Sequence, residues 1–288
     1  MVYVGANGML GRDVVEAARA HGYEITGIDL PEMDITHPES IRQHLPDCDV
    51  VINGAAFTRV DDAEKEIELS RRINADGAGH LATVCHERGV RLLHISTDYV
   101  FDGKKRADYV ETDPTNPLSV YGMTKWQGEK LVKSAAPESL IVRTQSLYGL
   151  HGRNFIKAIL NQIIQGKREL TVVSDQISSP TYTRHLATAL LNLAPLTDCG
   201  IVHAASRGSC SWFRFAEEMI SMVGIRGVTV KPMASSELKY PAPRPAYSVL
   251  STDLYTSWTQ ALMPTWQDGL KAYLREEPMA AQALAANA

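Results

Sequence analysis

A short apolar run, Val2-Tyr3-Val4, leads straight into Gly5-Ala6-Asn7-Gly8-Met9-Leu10-Gly11, and no other feature constrains the fold of this chain as much. Three glycines at this spacing, after a strand and at the mouth of a helix, mark one kind of turn. The first lets the backbone bend sharply, the second lets it approach a ligand, and the third lets helix pack on strand. The free N–H groups at the helix start, with the positive end of its dipole, make an anion site suited to a diphosphate. Asp29 ends the next apolar run, about 20 residues on, where an acid can accept hydrogen bonds from ribose hydroxyls.

Alternation continues the theme. Apolar runs at 2–4, 24–29, 50–53, 91–96 and 139–143 are short and nearly continuous, as in strands covered on both faces. Between them, 11–21, 40–44, 67–89 and 119–135 have helical periodicity. This pattern predicts an α/β fold, a Rossmann-type doubly wound parallel sheet. Past about residue 149 the rhythm changes. Helices are expected at 154–165, 183–192 and 212–223, strands at 170–173 and 200–204, and a proline-rich loop at 240–245. The organisation expected is a dinucleotide-binding domain over 1–150 with returns to its sheet around 176–205. A smaller, interleaved C-terminal substrate lobe fills most of 151–288, and its alanine-rich tail, 279–288, is expected to fray.

A net charge of −4 over 288 residues gives no electrostatic reason to expect nucleic acid or an anionic membrane as partner. Lys104-Lys105-Arg106 reads as a solvated loop. The start of the chain carries no basic, apolar leader, and no run is long enough to span a membrane, so a cytoplasmic protein is expected. Four cysteines without C-x-x-C spacing suit buried thiols in a reducing compartment, and no zinc site is expected.

The chemistry gathers at three later points. Tyr121 and Lys125 stand one helical turn apart, and Thr97 and Asp98 follow a strand. A ketone accepts hydride well only if its oxygen is protonated or clamped as charge develops. Tyr121 can give that proton, and Thr97 can donate to the same oxygen. An ammonium on Lys125 is expected to lower the phenol's pKa from its ordinary value near 10 and to bind a nicotinamide ribose. Alone, such residues are a surface helix pair and an ordinary strand-end threonine; downstream of the glycine turn they read as a hydride-and-proton site. With Asp29 followed by Leu30-Pro31-Glu32 and no basic residue, NADH is favoured over NADPH, unless Arg12 balances a 2′-phosphate.

Longer strings narrow the reading. Asn53-Gly54-Ala55-Ala56-Phe57-Thr58-Arg59-Val60-Asp61-Asp62-Ala63-Glu64, Ser96-Thr97-Asp98-Tyr99-Val100-Phe101-Asp102-Gly103, Tyr121-Gly122-Met123-Thr124-Lys125 and Asp175-Gln176-Ile177-Ser178-Ser179-Pro180-Thr181 resemble the dTDP-4-dehydrorhamnose reductase family of extended short-chain dehydrogenase/reductases. Arg244-Pro245 with Ser248 and Leu250 matches that family's late motif, so the resemblance covers nearly the whole chain. It implies reduction of the C4 ketone of dTDP-4-dehydro-L-rhamnose by NADPH or NADH, with Thr97, Tyr121 and Lys125 catalytic. Gly5, Gly8, Met9, Leu10, Gly11, Asp29, Asp34, Ile35, Ala56, Phe57 and Thr58, with Tyr121 and Lys125, are implied around the dinucleotide. Thr58, Val60, Thr97, Asp98, Ser146 and Arg244 are implied around the sugar nucleotide, although Asp34 also reads as a turn cap and Arg244 as a brace for the proline loop.

One contrast with related enzymes and one departure from the family stand out, with Ser179, where Gly is common, a smaller change. Tyr99 replaces the glutamate of the related dehydratases, which removes elimination chemistry. Gln145-Ser146 stands where the family usually has Ser-Trp, which opens the sugar pocket and leaves room for a related 4-ketoreductase, such as one giving the 6-deoxy-L-talose product. A non-catalytic regulatory subunit is the remaining reading. Mg²⁺ and a homodimer enter only through the resemblance, since some members are described as Mg²⁺-linked dimers; Asp13 falls where one acidic ligand would be.

Overall fold

The computed structural model describes residues 1–286. Its main sheet has six strands: β1 (Val2–Val4), β2 (Thr26–Ile28), β3 (Val50–Asn53), β4 (Arg91–Thr97), β5 (Leu140–Thr144) and β6 (Gly200–His203). They run in the order β6-β5-β4-β3-β1-β2, and every pairing is parallel. Parallel neighbours require crossovers, and the helices that supply them cover both faces. On one face lie α1 (Met9–Ala20) and α6 (Thr183–Leu193), and on the other α2 (Pro38–His44), α3 (Ala78–Glu87) and α4 (Val120–Ala135), while α5 (Phe155–Ile164), α7 (Trp212–Val223), α8 (Trp266–Glu276) and α9 (Pro278–Ala285) pack around a separate core.

Side chains alternate across each strand, so one sequence feeds two cores. Tyr3 and Ile52 point to the side where α1 and α6 pack, with Val14, Ala18, Leu186 and Leu190. Val2, Val4 and Val51 point to the other, with Ile41, Leu81, Val84 and Val132. A third core, around Tyr148, Ile156, Phe215 and Trp266, lies under α5, α7 and α8. Strand order reverses between β1 and β3, with β2 outside β1. That switch point is where ligands bind in open α/β sheets, beyond the carboxyl ends of the strands.

Two local expectations change. Residues 67–89 form a helical run, but Arg72–Gly77 adopts a wider π-helical turn between Ile67–Arg71 and α3. The widening lets Asn74 turn inward, where its Oδ1 accepts from the Phe57 N–H at 2.8 Å. The described part of the tail is helical. Pro278 begins α9, Glu277 caps it by accepting from the Met279 N–H at 3.2 Å, and Ala280 and Ala283 are buried. Residues 287–288 lie outside the described residues. No helix among those described is long and apolar enough to cross a membrane.

α4 is seated by a buried ion pair. Arg143 of β5 donates to Glu129 through Nε at 2.8 Å and Nη2 at 2.7 Å, and Ser96 of β4 donates to the same carboxylate at 2.5 Å. Both charged side chains are at most 5% exposed. Breaking a buried pair strands its partner charge, so Glu129→Gln is expected to cost roughly 3–5 kcal/mol. A urea midpoint indistinguishable from that of the unmodified chain would contradict this.

Candidate active site

The glycine turn is built as its sequence requires. Gly5 has φ +89°, and a Cβ there would lie 2.8 Å from the Ala55 backbone nitrogen, in the neighbouring turn after β3. A Cβ on Gly11 would lie 2.5 Å from the Gly5 carbonyl oxygen. Asp29 reaches back from the end of β2 and accepts from the Asn7 N–H at 2.8 Å and the Leu30 N–H at 2.8 Å. Beside it lies an open groove of about 440 Å³ lined by Ala6, Asn7, Arg12, Val15, Glu16, Arg19 and Gly27. A backbone this close to empty space, an acid at the ribose position and the start of α1 together fit a dinucleotide.

Other residues implied around the dinucleotide lie nearby in different settings. Leu10 is buried in the core beside α1, and Met9 packs near Gly149. The Asp34 carboxylate accepts from the Thr36 N–H and hydroxyl at 2.9 and 2.8 Å, which makes it a turn cap. Ile35 is buried near Gly77. Phe57 is buried under the Arg59 guanidinium, 4.3 Å from its ring centre, while Thr58 stays exposed and Ala56 and Val60 are half-buried.

β4 delivers Thr97 and Asp98 at its carboxyl end, and α4 presents Tyr121 and Lys125 to the same spot. Ser119 caps α4 by accepting from the Gly122 N–H at 3.2 Å, which fixes the start of the helix next to Tyr121. Gly122 lets that first turn lie against the Tyr99 carbonyl. The Thr97 side chain faces the Tyr121 phenol and favours its anion. Thr97 donates to Asp98 Oδ1 at 3.1 Å. The Tyr99 and Tyr121 rings meet edge to face at 5.5 Å. Lys125 Nζ donates to the Ile95 carbonyl at 2.7 Å and lies 3.4 Å from His94 Nε2.

The electrostatics of the pair differ from the sequence expectation. Burial pushes the Tyr121 phenol up to about 12; the Thr97 contact opposes this and the Asp98 charge adds to it. Lys125 is itself pushed down to about 8 by burial, against a smaller pull upward from Glu129. Its amine is engaged by the Ile95 carbonyl of β4, and the phenol's shift is set by its own burial. Desolvation disfavours both charged forms and wins over spacing. Burial also lifts Asp98 to about 6, although Ser248 and Thr97 hydrogen bonds favour its anion.

Next to Asp98 lies a small open cleft lined by Asp98, Tyr99, Ser146, Ser178, Trp212 and Arg244, among others. Ser146 takes a left-handed φ of +47° and donates to Ser178 Oγ at 2.9 Å. Arg244 braces its loop: it donates to Asp61 at 3.1 and 2.8 Å and to the Ala242 carbonyl at 2.9 Å, and stacks 3.9 Å from the Tyr240 ring centre. It nevertheless borders the cleft. Sequence reasoning missed Asn53, His94 and Trp212 as parts of this region. A histidine inside an otherwise apolar strand was the available signal for the second.

The residues around Asp13 do not fit Mg²⁺. Asp13, Glu16 and His151 cluster, but the Arg184 guanidinium already sits 3.7 Å from Asp13 and 3.3 Å from Glu16, and it donates to Glu276 at 2.7 Å. Mg²⁺ demands six oxygen ligands in near-ideal octahedral geometry. Here one of three donors is an imidazole and a cation is already in place.

Comparison with known proteins gives a consistent result. A family model described as the RmlD substrate binding domain matches residues 1–279. The spore coat polysaccharide biosynthesis protein SpsK of Bacillus subtilis is 38% identical over 283 residues, 97% of this chain and 98% of that protein. The dTDP-4-dehydrorhamnose reductase of Mycolicibacterium smegmatis is 38% identical over 274 residues, 94% of this chain and 84% of that one. A crystal structure of dTDP-4-dehydrorhamnose reductase from Bacillus anthracis in complex with NADP superposes with a TM-score of 0.90 at 36% identity, covering 96% of this chain and 98% of that one.

Gly11→Ala is expected to fold and to lose on the order of tenfold or more in dinucleotide affinity, because its methyl group meets the turn that must approach the diphosphate. Titration of reduced-cofactor fluorescence checks this; unchanged affinity would remove the turn from the binding site.

Proposed function

The chain belongs to the RmlD substrate binding domain family, and from that premise we propose that it is an NAD(P)H-dependent oxidoreductase reducing dTDP-4-dehydro-L-rhamnose to dTDP-L-rhamnose. The observation that carries this reading is the convergence of buried Thr97 and Asp98 at the end of β4 with Tyr121 and Lys125 of α4. We read residues 1–150, with β6, as the dinucleotide-binding part and most of 151–288 as the lobe that holds the sugar nucleotide.

When bound, the nicotinamide supplies the hydride that adds to C4 of the sugar. Tyr121 keeps its proton at neutral pH, because burial has raised its pKa, and gives it to the C4 oxygen as negative charge develops there. A phenol near 12 matches an alkoxide better than a phenol near 7 would. Thr97 turns its hydroxyl to the same oxygen and shares the charge. Lys125, on the same face of α4, binds the nicotinamide ribose and holds the phenol's surroundings in place. Tyr99 fills the position where elimination would need a second carboxylate, so the reaction ends at the alcohol.

The substrate pocket leaves one second reading. Ser146 replaces a tryptophan and is tied to Ser178, so a related keto-sugar, giving 6-deoxy-L-talose, is accommodated by the same chemistry. Thr97, Tyr121 and Lys125 together favour an enzyme over a regulatory subunit. For the cofactor, the Asp29 charge opposes a 2′-phosphate, while Arg12 and Arg19 line the groove beside it. NADH should therefore serve at least as well as NADPH. A strong preference for NADPH in steady-state kinetics would contradict this, and Arg12→Ala should weaken NADPH use while sparing NADH. No step is assigned to a divalent ion.

Tyr121→Phe should fold, retain cofactor binding and lose roughly 10²–10⁴ in turnover with dTDP-4-dehydro-L-rhamnose, the usual worth of a positioned acid. Near-normal turnover would remove Tyr121 from its role.

A further inference from the structure

We infer that Asn53 and His94 form a buried hydrogen-bond ladder that disfavours the ammonium form of Lys125 in the cofactor-free protein and ties its protonation to the turn after β3. The inference rests on the reading of Lys125 as part of the reducing site, but its argument is one of hydrogen-bond direction alone.

The ladder can be followed from one end. The Ala55 N–H donates to Asn53 Oδ1 at 3.1 Å, which settles which end of the amide is oxygen. Asn53 Nδ2 then faces His94 Nδ1 at 3.1 Å. An amide NH₂ can only donate, so Nδ1 must offer its lone pair, and a neutral imidazole must carry its proton on Nε2. That N–H points at Lys125 Nζ, 3.4 Å away. A neutral amine can accept it and still donate to the Ile95 carbonyl at 2.7 Å. An ammonium has three donors and no lone pair, so it would set donor against donor.

The mismatch cannot be relieved locally. Asn53 and His94 are fully buried and Lys125 is 2% exposed, so water cannot rotate in. Moving the His94 proton to Nδ1 sets that N–H against Asn53 Nδ2. Turning the Asn53 amide over to accept it sets NH₂ against the Ala55 N–H. Each correction passes the conflict one step on, until the backbone at Ala55 must move. Protonation of Lys125 and the geometry of the Gly54–Thr58 turn are therefore linked, and the linkage is reciprocal. That turn packs on the glycine turn through Gly5, so a dinucleotide that resets it also resets the amine.

The other groups around Lys125 do not reverse this. Burial acts in the same direction and lowers its pKa. Glu129, one turn along α4, favours the ammonium, but its carboxylate already takes hydrogen bonds from Arg143 and Ser96. Tyr121 stands one turn before it on α4, and β4 contributes Thr97 and Asp98 beyond His94. The π-helical turn contributes Asn74, which with Ser70 bonds the Thr124 hydroxyl, and all three are uncharged. His94 is itself held neutral, since burial and Lys125 push its pKa well below the ordinary value.

The test is an NMR titration of the lysine side chains in the cofactor-free protein, with the Lys125 signal identified by its loss in Lys125→Met. The expected midpoint is well below the ordinary lysine value. In His94→Gln, whose amide can turn its oxygen to the lysine, the midpoint should rise by at least about one unit. An unchanged midpoint in the folded variant would overturn the inference and leave His94 as packing. Should His94→Gln not fold, an ordinary midpoint for Lys125 in the unmodified chain would overturn it equally. Calorimetry in buffers of different ionisation enthalpy reads the linkage directly: NADH binding above pH 8 should take up protons in the unmodified chain and take up fewer in the variant. Proton uptake unaltered by the variant would count against the ladder. These readouts do not depend on turnover, so a chain that reduces no keto-sugar yet shows both effects would refute the proposed activity and keep the ladder.

Discussion

The buried pair between Glu129 and Arg143 is the constraint on which the rest of the site depends. It pins the middle of α4 to β5, and Ser96 extends the grip to β4. Tyr121, Lys125 and Glu129 follow one another at intervals of four, so they share a helix face. Anchoring the third sets the depth and rotation of the first two against Thr97. Gly122 and Gly128 make the close approach possible, since side chains there would meet the Tyr99 and Asn74 carbonyls. A charged pair this deeply buried is a weak source of net stability; its value here is the position it imposes on α4. Thr97 and Tyr121 need that position.

Much of this was legible in the sequence, and for identifiable reasons. β1, β3 and α7 sit where periodicity placed them, because short apolar runs bounded by glycine or polar residues have few alternatives. The glycine turn was readable because each glycine answers a steric demand that no other residue meets. Thr97, Tyr121 and Lys125 were readable through their order along the chain, which the fold converts into proximity at one end of the sheet. What could not be read was direction and environment. Spacing put Lys125 near Tyr121, but only burial could reveal that both charged forms are disfavoured, and that Lys125 turns to β4. Asn53 was legible only as the start of a family string and His94 not at all, since their pairing exists only once β3 and β4 lie side by side. The α9 helix was hidden by its alanine-rich sequence, which resembles a frayed end until Glu277 caps it and the third core covers Ala280 and Ala283.

The substrate side follows a different logic from the cofactor side. The cofactor turn is backbone, fixed by glycine sterics and by Asp29, and leaves little to vary. The cleft proposed for the sugar is assembled from side chains of distant segments: Asp98 and Tyr99 after β4, Ser146 after β5, Trp212 at the head of α7, and Arg244 from the proline loop. Arg244 is held to Asp61, so the loop that closes the cleft is tied to the segment following the second turn of the cofactor site. Small changes such as Ser146 can thus alter which sugar fits without disturbing hydride and proton chemistry.

The central claim is that one buried site delivers hydride to a sugar carbon while Tyr121 delivers a proton to its oxygen. The most direct measurement is turnover of dTDP-4-dehydro-L-rhamnose with nicotinamide cofactor deuterated at the transferring position, followed by NMR of the sugar. The account predicts one deuterium at C4, none at other ring carbons, and a hydroxyl whose proton comes from solvent. Deuterium retained on the cofactor, or appearing at a carbon other than C4, would contradict it.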